Sequence, residues 1–165
     1  MTQTGQNIIA SGYPEGLAAP CGRFAGNIHY FPARIYFEDT DLSGLVYHAN
    51  YLRYMERARS DMLRIAGIDQ RAHHEGGAGV YAVTDLHIRY RRPARLDDDL
   101  MVVSRVTDVR ATRCTIHQSV RCGAEELTDA AITVAWLTPQ GRPQRQPKAW
   151  TDIFTRLCQG DDLHP

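Results

Sequence analysis

The stretch Phe37–Tyr51, FEDTDLSGLVYHANY, constrains this chain more than any other, because the hydrophobic period changes across it. Before it stands RIYF (Arg34–Phe37), short, aromatic and β-branched, which reads as a strand. After it, Tyr51, Leu52, Met55, Ala58, Met62, Leu63 and Ile65 recur at three- and four-residue spacing, with arginines and acids between them. That is the period of an amphipathic helix. Asn50 is a candidate N-cap and Gly67 a candidate C′ stop. A strand that breaks into a polar turn and then a helix brings the Glu38, Asp39 and Asp41 carboxylates close to the free N–H groups of a helix N-terminus. The segment therefore reads as a catalytic site, and the rest of the chain as its scaffold.

Four further strands are expected. Val80 to Arg91 alternates, Leu100 to Val109 is β-branched, and Arg113 to Cys122 places Cys114, Ile116, Gln118, Val120 and Cys122 on one face. Thr128 to Leu137 is nearly all apolar, as suits a central or doubly covered strand. The short connections between them, PARLDD among them, suit antiparallel neighbours in a meander. Trp150 to Leu157 can form a final helical turn or two. One strand, one long helix and four more strands make an α+β domain. A single helix cannot cover both faces of such a sheet. With Tyr81, Val83, Met101 and Val103 expected on the outer face, an oligomer is implied. Residues 1–23 read as a loose arm, docking at Ile8-Ile9 if anywhere, 24–158 as the single domain and 159–165 as a tail.

At 165 residues the chain has room for one domain with a substantial core. Its formal net charge of zero gives no argument for nucleic acid or an anionic membrane as partner. No apolar run is long enough for a transmembrane segment and no secretory signal is visible, so the expected location is cytoplasmic. Cys21, Cys114, Cys122 and Cys158 lack ligand spacing and read as reduced, buried thiols. His73, His74 and Glu75 lie in a glycine-rich stretch that reads as a solvated connection, so no metal is expected.

The segment RIYFEDTDLSGLVYHANYLRYMERAR, with YRRPARLDDDL downstream, resembles the hotdog-fold acyl-CoA thioesterases, most of all their Tol-Pal-associated branch. The resemblance implies a hotdog fold, a five-stranded antiparallel sheet wrapped around the helix, assembled as a homodimer or homotetramer by joining sheets edge to edge. It implies an acyl-CoA substrate, with coenzyme A entering as part of that substrate and no separate cofactor. By the same resemblance Asp41 is the catalytic carboxylate, and the backbone N–H of His48 is the donor to the thioester oxygen. Physical chemistry agrees: a thioester needs a carboxylate to attack it or to activate water, and donors aimed at the developing oxyanion.

Other residues carry two readings each. The His48 imidazole orients water or the leaving thiol, or is structural. Tyr47, with Gly44 and Val46, is placed at the acyl pocket. Arg89, Arg91 and Arg92, with Arg95, suit coenzyme A phosphates or protect a strand edge. Asp39 is expected to be structural. Glu56 competes with Asp41 for the carboxylate role, against the plainer reading of an ion-paired helix residue. Two other functions stay open: a hotdog hydratase or dehydratase, and a non-catalytic module that binds acyl-CoA or acyl carrier protein.

Overall fold

The computed structural model describes residues 19–163; Ile8-Ile9 and most of the expected arm lie outside the described residues. Six strands form one antiparallel sheet: β1 (Arg23–Ala25), β2 (Ile28–Arg34), β3 (Val80–Tyr90), β4 (Asp99–Val109), β5 (Arg113–Cys122) and β6 (Glu125–Leu137), in spatial order β1-β2-β4-β5-β6-β3. The helix α1 (His48–Ile65) lies against one face of the sheet over β2, β4 and β5, which is the hotdog arrangement. Its apolar side contributes Tyr51, Tyr54, Met55, Ala58 and Met62, all essentially sealed from water, and these meet Val102, Val106, Ile116, Val120 and Ile132 from the sheet. Burial of that stripe, rather than helix propensity, is what holds α1.

The ends of α1 follow local chemistry. At its C-terminus Gly67 takes a φ of 76°, its N–H donating to Arg64 O at 3.1 Å, while Ile68 N–H reaches Leu63 O at 2.9 Å. This closes the last carbonyls in the 6→1 and 5→2 pattern that glycine permits. The N-terminus lies earlier than Asn50 suggested: helical residues begin at His48, and Tyr47 occupies the cap position. Asn50 instead spends its side chain on the preceding loop.

Several expectations are corrected. The sheet has six strands rather than five, because the short β1 adds to β2 through Arg23↔Tyr30 and Phe24↔His29. RIYF is not a strand: β2 ends at Arg34, and Phe37–Asp39 is one 3-10 turn in which Asp39 Oδ2 accepts the Tyr36 N–H. β3 and β4 are not neighbours. β5 and β6 lie between them, so the 91–98 connection crosses from the β3 edge past β6 and β5 to the interior strand β4, with Asp97 in the left-handed region at φ 67°. Tyr81 and Val83 face the helices, not the outer face: they pair with inward-facing Trp136 and Val134, and Tyr81 packs edge-on against the Trp136 ring. Only Met101 and Val103 of that set look outward, alternating with buried Leu100 and Val102.

Two helices add to the same face. α2 (Gln70–Glu75), capped by Asp69 Oδ1 accepting from Ala72 N–H at 2.9 Å, occupies the stretch expected to be a loop. α3 (Lys148–Gln159) is longer than expected and buries Trp150, Phe154 and Leu157. Of the four thiols only Cys114 is buried, where desolvation pushes its pKa up to about 12; Cys21 and Cys158 are exposed. Among the described residues no helix is long and apolar enough to cross a membrane.

Candidate active site

The site grows from three pieces of chain meeting at the N-terminus of α1. The first is the turn Asp41–Gly44. Asp41 O accepts the Gly44 N–H at 2.9 Å and Asp41 N–H donates to Leu45 O at 2.9 Å. Gly44 sits at φ 73°, which a side chain rarely tolerates, although open space surrounds it. The second is the crossing connection. Val46 N–H donates to Ala94 O at 2.9 Å, Leu45 bridges Arg95, and Ala94 N–H donates to Tyr51 Oη at 2.9 Å. The third is the first turn of α1 itself.

Together they line an open pocket of about 340 Å3 bounded by Asp41, Val46, His48, Tyr90, Arg92 and Pro93. One oxygen of Asp41 is committed to its own turn: Oδ1 accepts the Ser43 N–H at 2.8 Å and the Ser43 hydroxyl. Those two donors, the hydroxyl first, hold the Asp41 pKa below the usual carboxylate value; Leu45 and the nearby His48 add to the effect. The exposed carboxylate is therefore ionised at neutral pH, and Asp41 lines the pocket. Neither His48 N–H nor Ala49 N–H has a protein acceptor among the described residues, as expected for the first donors of a helix. The ionised Asp41 and His48, the first residue at the positive end of the helix dipole, thus line one cavity.

His48 is fixed by aromatic neighbours. Its ring lies 4.4 Å from that of Tyr47 and 6.3 Å from that of Tyr90, and its carbonyl accepts the Tyr90 hydroxyl at 3.0 Å. Tyr90 and Pro93 are pocket residues that the sequence reading missed; the break of alternation at Arg91-Arg92-Pro93 was the available signal. Tyr47 and Gly44 stand beside the pocket rather than in its lining.

The arginines divide. Arg91 and Arg92 line the pocket, but Arg91 is ion-paired to Asp129 and, at 3.0 Å, to Glu126, while Arg92 is 3.7 Å from Glu125. Arg89 pairs in register with Asp129 on the outer face of the sheet, away from this pocket. Glu56 lies on a different side of α1, lines a separate cavity and accepts the Ser60 hydroxyl at 2.7 Å rather than forming an ion pair. Asp39 is buried beneath the loop and acts as a bracket, its carbonyl accepting Tyr47 N–H and the Asn50 amide. Among the described residues no three metal-ligating side chains cluster.

Known proteins share this framework. Residues 43–139 match the model of the thioesterase superfamily, more than half of the chain, and the chain belongs to that family. It is 36% identical over 122 residues to an acyl-CoA thioester hydrolase YbgC from Escherichia coli, covering 72% of this chain and 90% of the relative. It is 39% identical over 105 residues to the acyl-CoA thioesterase YbgC of Haemophilus influenzae, covering 64% and 77%. Among solved structures, a probable thioesterase from Bartonella henselae superposes with a TM-score of 0.69 at 35% identity, over 73% of this chain and 99% of that one. A 1,4-dihydroxy-2-naphthoyl-CoA thioesterase from Synechocystis, 20% identical, shares the fold at a TM-score of 0.73 over 78% and 96%.

Proposed function

We propose that the chain hydrolyses acyl-CoA thioesters, with Asp41 as the reacting carboxylate and the His48 backbone N–H as oxyanion donor. The observation that carries this reading is the pocket lined by both the ionised Asp41 and His48, whose N–H is unsatisfied at the α1 N-terminus. The names of the relatives support the same substrate class.

The substrate carbonyl sits with its oxygen toward the His48 N–H. Asp41 Oδ2 either adds to the carbonyl carbon or takes a proton from a water that adds in its place. In the first course the C–S bond breaks to give an acyl-aspartyl anhydride and the coenzyme A thiolate, and water then releases the carboxylic acid. In the second, the C–S bond breaks directly to acid and thiolate. In both courses negative charge grows on the carbonyl oxygen, where a fixed N–H at a helix terminus stabilises it without reorganisation. The His48 ring orients water or the leaving thiol. Arg92, the more loosely paired of the two lining arginines, meets coenzyme A phosphates at the mouth, with Arg91 behind it.

A second copy completes the molecule in this reading. β3 is a free sheet edge of 11 residues with Val80, Val83, Leu86 and Tyr90 exposed. Such an edge invites pairing with its symmetry mate. A homodimer through β3, which can pair into a homotetramer, places the partner beside the Tyr90 wall of the pocket. A coenzyme A thioester substrate puts the protein in the cytoplasm; an acyl carrier protein thioester fits the same chemistry.

One observation favours a binding-only reading: Asp41 Oδ1 already serves its own turn. A panel of acyl-CoAs, followed by free thiol release, separates the two. Hydrolysis is expected; tight acyl-CoA binding without thiol release on any chain would make this a binding module. Hydration of an enoyl-CoA without thiol release would point to a hydratase.

A further inference from the structure

Away from the Asp41 pocket, α1, α3 and the inner faces of β3, β5 and β6 enclose a second cavity of about 160 Å3. Its walls combine apolar Met62, Val83, Ile116, Val134 and Phe154 with polar Ser60 and Gln70, and Glu56 and Val83 are its exposed members. The cation in that wall is Arg59. Its Nη1 donates to Gln118 Oε1 at 2.7 Å. Gln118 is wholly buried and is itself fixed, since Nε2 donates to Met55 O at 3.0 Å and to Ser104 Oγ at 2.9 Å. The guanidinium is thus held from behind by a satisfied polar chain.

Arg59 has no ion-pair partner among the described residues. Glu56, one turn back, is occupied with Ser60. Burial lowers the Arg59 pKa, opposed by the Glu56 charge, yet a guanidinium stays protonated. A half-buried cation with Glu56 near but not paired to it is left short of a close counter-charge, which a bound anion would supply. Nε and Nη2 have no protein acceptor and are not sealed from solvent, so they present the planar fork that matches a carboxylate. Met62, Val83, Ile116 and Phe154 suit a hydrocarbon chain, which a carboxylic acid carries and an inorganic phosphate or sulfate does not.

We propose that this cavity is a carboxylate-binding site, which takes the head of a small aliphatic carboxylate on Arg59 and its chain against Met62, Val83, Ile116 and Phe154. The ligand is a free carboxylic acid: this cavity shares no lining residue with the Asp41 pocket, and His48 and Arg59 are separated by roughly 16 Å along the axis of α1.

The test titrates hexanoate into the whole chain by calorimetry, with 1-hexanol as the uncharged probe of equal length. Hexanoate is expected to bind at least about tenfold more tightly than hexanol. Arg59→Met, which keeps the stem, removes that preference, and Arg59→Lys restores part of it. Val83→Phe enlarges a wall residue and abolishes hexanoate binding with Arg59 intact, at a particle mass by light scattering equal to that of the unaltered protein. Equal binding of hexanoate and hexanol by the unaltered protein, or no binding of hexanoate, overturns the proposal. So does undiminished hexanoate binding by a folded Arg59→Met protein.

Discussion

Asn50 Nδ2 donates to the carbonyl oxygen of Asp39 at 2.8 Å, tying the first turn of α1 to the 3-10 turn that precedes Asp41. The same carbonyl accepts the Tyr47 N–H at 2.9 Å, and the Asp39 carboxylate holds the Tyr36 N–H. The relative placement of Asp41 and the His48 N–H therefore depends on a buried bracket rather than on contact between the two.

Removing half of that bracket should loosen the site before it unfolds the domain. Asn50→Ala is expected to cost about 0.5–1.5 kcal/mol of stability, the usual net worth of one hydrogen bond, because Tyr47 still satisfies the Asp39 carbonyl. The same variant should lose kcat more than KM worsens. Urea denaturation and steady-state thiol release measure the two effects on one preparation.

A pH effect should come from the interior. His29 and Asp61 meet at 2.9 Å with side chains 0% and 4% exposed, so water does not share the contact. Burial lowers the His29 pKa, and Asp61 only partly opposes it. The folded state therefore prefers neutral His29, while the unfolded chain takes up a proton near the ordinary value of 6.5. The contribution is present above that value and is lost as pH falls below it toward the depressed folded value. Urea midpoints at about pH 7.5 and about pH 5.5 should show the loss, and His29→Gln should flatten it.

The strand before β2 is pinned to this pair. Gly22 N–H donates to Asp61 Oδ2 at 2.8 Å, and an added Cβ would lie 2.6 Å from His29 Nε2 and 2.7 Å from Asp61 Oδ2, and against Tyr30 O as well. Gly22→Ala must push backbone or the buried pair aside. A loss of about 1–3 kcal/mol is expected by urea denaturation, whereas Gly26→Ala meets no neighbouring atom and costs only its φ of 61°.

How much of this was legible in the sequence varies with chain distance. α1 and its Gly67 stop were visible because period and cap are local. The closeness of Asp41 to the helix start was visible because Asp41 and His48 lie in one short segment. The pocket's other wall was not. Tyr90 and Pro93 arrive through the crossing of residues 91–98, and nothing in PARLDD distinguishes a crossing from a tight turn. The inward facing of Val83 was hidden by the bulge between Val83 and Asp85, which shifts the alternation of β3 by one residue. RIYF misled because its composition suits a strand, while Asp39 captures the Tyr36 N–H and turns the chain instead.

The free edge offers a further measurement. Light scattering should report a mass that is a multiple of the 18.6 kDa chain, and Leu86→Arg on exposed β3 should shift it toward one chain. An unchanged multiple would place the interface elsewhere.

The role of Asp41 is tested most directly by Asp41→Asn, which keeps the shape of the turn and the acceptor for Ser43 while removing the charge. With acyl-CoA substrate and free thiol release as the readout, kcat should fall by about a hundred- to ten-thousandfold at an unchanged melting temperature. Thiol release at the rate of the unaltered protein would contradict the account and leave Asp41 as a turn residue.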